Sequence, residues 1–121
     1  MTIYERVFED TGCTEAAVAE NGAQSYRRMI WIDEGNADTA TKAAVWIAEP
    51  GTYVYDARPI AESFVVMEGE ADCTVASGEK RRIGPGDIVT IPVNAPISLT
   101  VLTPFRKFAM VVPKTAQAMP D

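Results

Sequence analysis

Between residues 56 and 62 the chain reads DARPIAE: an acid, an arginine two residues on, and a second acid four further along. These residue types handle small anions. A guanidinium offers a planar, permanently charged fork to a carboxylate or phosphate. A carboxyl whose pKa is tuned by burial can carry a proton. The same side chains can also do no more than neutralise one another, as an Asp56–Arg58 or Arg58–Glu62 ion pair, and structural pairs perturb carboxylates as well. The residues alone leave both readings open. They do exclude imidazole chemistry, because the chain contains no histidine. Nothing of that kind can activate Cys13 or Cys73 as a nucleophile. The two cysteines lie far apart with no C-x-x-C or zinc spacing and read as reduced, unpaired thiols. Cys73, inside ADCTVA, reads as a small residue in or near the core.

The elements that position these side chains are strands. From residue 25 onward, short β-prone runs alternate with glycine, proline and acid-amide turns: SYRRMIWID, TKAAVWIA, TYVYDAR, ESFVVMEG, EADCTVA, SGEKRRIG, DIVTIPV, ISLTVLT and FRKFAMVV, with EGNADT and EPG among the breaks. Strands of this length and spacing predict an antiparallel sandwich or barrel. Alternation from Glu62 puts Phe64 and Val66 on its face and, along the preceding strand, groups Asp56 with Arg58. Tyr53 and Tyr55 then point the other way, towards outer packing or an interface, unless a bulge near Gly51 turns them inward. Arg106 and Lys107 must also diverge, one inward and the other as a solvated surface charge. Phe64 to Met67 are four apolar residues in a row, so Val65 and Met67 need cover from the N-terminal segment or a second subunit; a homodimer is the expected partner.

Before residue 25 the segment TEAAVAE reads as a helix capped by Thr14 or Thr11, or as a loop across a barrel mouth. The closing PKTAQAMPD reads as a fraying tail. The chain thus divides into an arm or short helix over 1–24, a barrel over 25–112 and a tail over 113–121, all within one domain. At 121 residues and 13.1 kDa, such a domain buries roughly two thirds of its unfolded surface. The apolar fraction of 47% and the charged fraction of 23% are those of a folded, soluble protein. A net charge of −6 and a pI near 4.6 repel polyanions, so nucleic acid is not an expected partner. The start MTIYERVFEDTG has acids where a signal peptide needs basic residues, and no apolar run reaches membrane-spanning length. Cytoplasm is the expected compartment.

Within ESFVVMEGEADCTVASGEKRRIGPGDIVTIP the order of an acid, a glycine turn, a G-P-G-D turn and I-P resembles the cupin superfamily, small RmlC-like jelly-roll β-barrels. Glu62 falls at the glutamate of the first cupin motif and Gly69 at its glycine; Gly86, Asp87 and Pro92 match the second motif. The chain is most similar to the compact DUF861 or cupin_3 cupins related to the ethanolamine-utilisation cupin. Their elements stand here as YVYD, ESFVVMEG, GDIVTIP and TPFRKF, over about residues 44 to 112. Physical reasons run beside the resemblance. In Gly84–Asp87, glycine permits positive φ, proline presets its own and the aspartate can bond nearby backbone. Gly69 closes a hairpin, and Pro92 ends a strand and sends Val93 to Pro96 over one end of the barrel.

Metal-binding cupins hold a divalent ion with three histidines and a glutamate. The resemblance places Asp56, Arg58 and Ile97 at the histidine positions, which leaves a poor cage, so neither metal nor cofactor is expected. The family's aromatic pocket wall implies a ligand-facing role for Trp46, which otherwise reads as core, as does Trp31. The family's tyrosine and tryptophan near the closing strand are replaced by Ala109 and Leu99. The implied site uses Glu62 and Asp56 as proton carriers, with Arg58, Trp46, Phe64 and Tyr55 binding a small organic anion. Its use would be acid-base isomerase or lyase chemistry without a metal, or else non-catalytic capture by a dimeric binding or accessory module.

Overall fold

The computed structural model describes residues 3–10, 12–32 and 41–113. The EGNADT turn, most of the PKTAQAMPD tail and the side chain of Trp31 lie outside the described residues. The strands are β1 (Thr14–Val18), β2 (Gln24–Ile32), β3 (Lys42–Ala48), β4 (Gly51–Tyr55), β5 (Ile60–Glu68), β6 (Ala71–Val75), β7 (Arg81–Ile83), β8 (Ile88–Ile91), β9 (Ile97–Val101) and β10 (Phe105–Pro113). They form two antiparallel sheets, ordered β1-β2-β3-β10-β5-β8 and β4-β9-β6-β7. This is an all-β jelly roll, as the resemblance to cupins implies, and every run singled out in the sequence from residue 25 on supplies one strand.

The segment beginning at Thr14 corrects the helix expectation. TEAAV pairs with β2 through Thr14↔Arg27 and Glu15↔Tyr26, with a bulge before Val18. Five residues are too few to nucleate a helix alone, whereas the free edge of β2 offers backbone partners that satisfy this segment outright. The Ser25 hydroxyl donates to the Ala17 carbonyl at 2.5 Å and the Gln24 amide to that of Ala16 at 2.9 Å, fixing the edge strand in place.

Aromatic and aliphatic residues from both sheets fill the space between them. Tyr53, Phe64, Leu99 and Phe105 are fully buried there, with Val66, Cys73, Ile91 and Val101 around them. Tyr53 is therefore core rather than outer packing, because β4 turns Tyr53 inward and leaves Val54 exposed. Its hydroxyl keeps a partner in the Glu49 carbonyl at 2.8 Å.

Two turns set the ends of the barrel. Gly69 has φ +83°, and a Cβ there would collide with the Pro104 carbonyl, so the β5–β6 turn tolerates no side chain. In the G-P-G-D turn the Gly84 amide donates to the Asp87 carboxylate at 2.8 Å and Gly86 takes φ +91°. The turn docks on β5, with Gly86 N–H donating to the Val66 carbonyl and Val66 N–H to that of Asp87.

On the outer face of the six-stranded sheet, residues 3–10 form an arm held by two arginines. Arg28 donates to the Glu5 carbonyl at 2.9 Å; Arg106 donates to the carbonyls of Val7 and Phe8 at 2.8 and 3.0 Å and pairs with Asp10 at 2.8 Å. Arg106 is accordingly not a solvated charge: it points outward, as alternation requires, but lies buried beneath the arm. Cover fades across this face along the row Val45–Phe108–Val65–Ile88. Val45 is fully buried, Phe108 and Val65 half-buried, and Ile88 is 72% exposed.

Candidate functional site

The inner face of the six-stranded sheet is laid out in rows by register. One row reads Arg27–Trp46–Lys107–Val66, the next Met29–Ala44–Ala109–Phe64, and a third Lys42–Val111–Glu62–Ile91. A bulge at Met67 precedes the first row, where Arg106 pairs with Glu68 but Lys107 with Val66. Charges stand in the outer two rows and alanines in the middle one. The result is a cavity of about 200 Å³ with an alanine floor, walled on the other sheet by Ile97, Leu99 and Tyr55. It reaches solvent between Arg27, Met29 and Arg58.

Lys107 sits at its centre. Its Nζ donates to Glu62 Oε2 at 2.7 Å, with both side chains buried. The ammonium also lies 4.2 Å from the centroid of the Phe64 ring and 5.1 Å from that of Trp46, where the negative faces of the rings stabilise it. Arg58 reaches the other oxygen of Glu62 at 3.4 Å, a looser contact from a side chain that is 39% exposed, and its guanidinium stands 5.5 Å over Tyr55. Arg58 is not on a strand. Its carbonyl accepts from Asn94 N–H at 2.8 Å, so the turn that follows Pro92 fixes the loop carrying it.

Burial alone would push the Glu62 carboxyl up, but Lys107 first and Arg58 second outweigh it, and the group is held below its ordinary range. Glu62 is a carboxylate. The Tyr55 hydroxyl is pushed far up, by burial and then by Glu62, so it stays protonated as a donor.

The sequence-derived site residues divide. Glu62, Arg58, Tyr55 and Trp46 converge on the cavity. Phe64 is fully buried and supports Lys107 from behind rather than lining the space. Asp56 is exposed and does not line the cavity: β4 ends at Tyr55, so strand alternation does not carry through from Asp56 to Arg58. Trp46 packs edge-on to Tyr53, Tyr55 and Phe105 at 5.1, 6.5 and 6.1 Å, and its indole nitrogen is buried with no hydrogen-bond partner among the described residues. It is both core and wall. Ala109 and Leu99 face the cavity, so losing larger aromatic groups there opens space.

Sequence reasoning missed Lys107, Arg27 and Lys42. The signal for Lys107 was present, since only one of Arg106 and Lys107 can point inward. Choosing between them required the pairing register. Arg27 and Lys42 carried no motif.

The donor set does not fit a divalent metal. Among the described residues no three His, Cys, Asp or Glu side chains come together. Asp56 does not line the cavity, Ile97 has no donor, and an ammonium already sits on the carboxylate of Glu62.

Similar folds occur in solved structures. They include the Clostridium difficile EutQ protein (TM-score 0.65, 14% identity, 83% of this chain and 76% of that one) and ectoine synthase from P. lautus (0.71, 15%, 93% and 78%). A third is a predicted oxalate decarboxylase from Thermotoga maritima (0.67, 15%, 87% and 96%). Comparison with curated protein sequences finds no match. A family model described as the EutQ-like cupin domain matches residues 35–109. With well over half of its length so matched, and with the jelly roll and both motif turns in place, the chain belongs to the EutQ-like cupin family.

Proposed function

We propose that this cupin binds a small organic anion between Arg58 and Lys107, without a metal ion, as a binding or accessory module. The observation that carries the reading is the buried Lys107–Glu62 pair joined by Arg58 inside an open cavity. Two cations against one carboxylate leave a net positive charge within a protein whose overall charge is −6. One of the three ammonium hydrogens is taken by Glu62 at 2.7 Å; the remaining donors and the Arg58 fork are the groups an anion would engage.

Acid-base catalysis finds less support. Proton transfer is most efficient when the group's pKa lies near working pH, whereas two cations hold Glu62 below its ordinary range, which makes it a weak base, and Asp56 does not line the cavity. Fold likeness does not decide the matter, because cupin barrels host enzymes as well as other functions. The homodimer is retained as part of the proposal. Its surface is the β5–β8 side of the outer sheet, where Ile88 and Met110 remain exposed beyond the arm. Light scattering returning a 13.1 kDa monomer at micromolar concentration would remove it.

Calorimetric titration with short-chain carboxylates tests binding. The expected result is saturable binding that weakens about tenfold or more in Arg58→Gln, as loss of a charge-assisted contact requires. Binding equal in parent and variant, or no binding at all, overturns it. If a carboxylate were turned over and Glu62→Gln kept binding while abolishing turnover, the acid-base reading would replace this one.

A further inference from the structure

The cavity holds more positive charge than one anion uses. Four cations line it, Arg27, Lys42, Arg58 and Lys107, against the single acid Glu62. Lys107 and Arg58 share Glu62. Among the described residues, no carboxylate lies within ion-pair distance of Arg27 or Lys42. Arg27 is exposed at the mouth and Lys42 half-buried. They occupy β2 and β3, while Arg58 and Glu62 belong to the loop before β5 and to β5 itself, and the alanine row runs between the row of Arg27 and Lys107 and the row of Lys42 and Glu62. With β10 between β3 and β5, the backbones of Lys42 and Glu62 are separated by two strand spacings, roughly 10 Å. Arginine and lysine side chains are long enough to span such a distance from either side.

We infer that the ligand is a short dianion, with one carboxylate at Arg58 and Lys107 and a second anionic group at Arg27 and Lys42, joined by a few apolar carbons over Ala44 and Ala109. The inference rests on the anion-binding reading above and adds the ligand's second charge and its spacer. The floor between the charged rows offers methyl groups and no hydrogen-bonding side chain, which matches a hydrocarbon spacer rather than a polyhydroxylated one. The volume of about 200 Å³ lies below the span of drug-sized sites, which begins near roughly 300 Å³. That excludes a nucleotide. Arg27 is exposed and Lys42 only half-buried, so neither needs a carboxylate for folding, and their placement around a cavity is the feature the dianion accounts for.

The experiment is calorimetry on the intact chain with glutarate, valerate and phosphonobutyrate, in the parent, in Arg27→Gln/Lys42→Gln and in Arg58→Gln. The dianions are expected to bind about tenfold or more tightly than valerate at low salt, with the preference shrinking as ionic strength rises. In Arg27→Gln/Lys42→Gln the ratio of dianion to valerate affinity collapses towards one, whereas Arg58→Gln weakens all ligands. The order of glutarate and phosphonobutyrate assigns the second group as carboxylate or phosphate-like; either order supports a dianion. Valerate binding as tightly as both dianions, or a ratio unchanged in the double variant, overturns this inference while leaving single-anion binding standing. No binding of any of the three, in a parent shown to be folded by its unfolding transition, overturns both.

Discussion

Arg106 and Lys107 are adjacent, both cationic and almost equally buried, at 5% and 6% exposure, yet they belong to different regions with different work. Arg106 faces the outer side of the sheet and spends its donors on the carbonyls of Val7 and Phe8 and on Asp10, so its fork clasps a segment of the same chain. Lys107 faces the cavity with one carboxylate and two aromatic faces around it. The outer cation turns both terminal nitrogens to the arm and holds it, while its buried Nε has no hydrogen bond among the described residues. The inner cation keeps donors unspent beside open space, which is what distinguishes a binding group from a structural one.

The largest break expected is on the inner side. Lys107→Met leaves a buried carboxylate with only the looser Arg58 contact, and should cost about 3–5 kcal/mol in urea unfolding. Adding Glu62→Leu should recover most of that, because removing both charges ends the desolvation penalty, while anion binding stays lost. A double variant as unstable as the single one would mean that the pair itself stabilises the fold.

On the outer side, Arg106→Leu should cost roughly 2 kcal/mol, through loss of charged hydrogen bonds, and speed amide exchange over residues 3–10. Anion affinity should not move. A change in affinity would show that the two regions are coupled across β10.

Acid should then separate them. Glu62 is held below its ordinary value of 4.5, so on acidification the unfolded chain takes up its proton first. The stabilisation is intact above that value and is lost as pH falls through the lower folded-state pKa. Unfolding midpoints followed downward from pH 5 should drop less steeply in Glu62→Gln than in the parent; parallel profiles would contradict this. Carbonyl acceptors do not titrate, so the Arg106 contacts with Val7 and Phe8 should persist.

The smallest effect expected is Asp10→Asn. Its side chain is 73% exposed, solvent screens the pair, and the two carbonyls still hold Arg106. Its unfolding midpoint should match the parent within error.

Much of the site was legible because it depends on local pattern. Glu62 faces inward with Val66 by alternation, and Arg58 reaches Glu62 from the preceding loop, the ion pair that was one of two readings of DARPIAE. Asp56 failed because alternation was carried past the end of β4, where loop backbone no longer imposes a period of two. Tyr55 entered the cavity with Tyr53 behind it, and no bulge was needed: the parity of the strand was as expected, and the side of the sheet it pointed to was not. TEAAV contains too few residues to distinguish a helical period from a strand period, and the available edge of β2 decided it.

The amino-acid sequence by itself determined the strands from residue 25 on, the Gly84–Asp87 and Gly69 turns, the family, and the absence of any imidazole, since each depends on residue type or on neighbours a few positions away. Tertiary structure alone decided that Lys107 and not Arg106 enters the cavity, that Arg106 is buried beneath an arm nearly a hundred residues earlier, and that Arg27 and Lys42 line the same cavity as Glu62. Those outcomes depend on register between strands distant in sequence, where a slip of one residue would send every side chain to the opposite face.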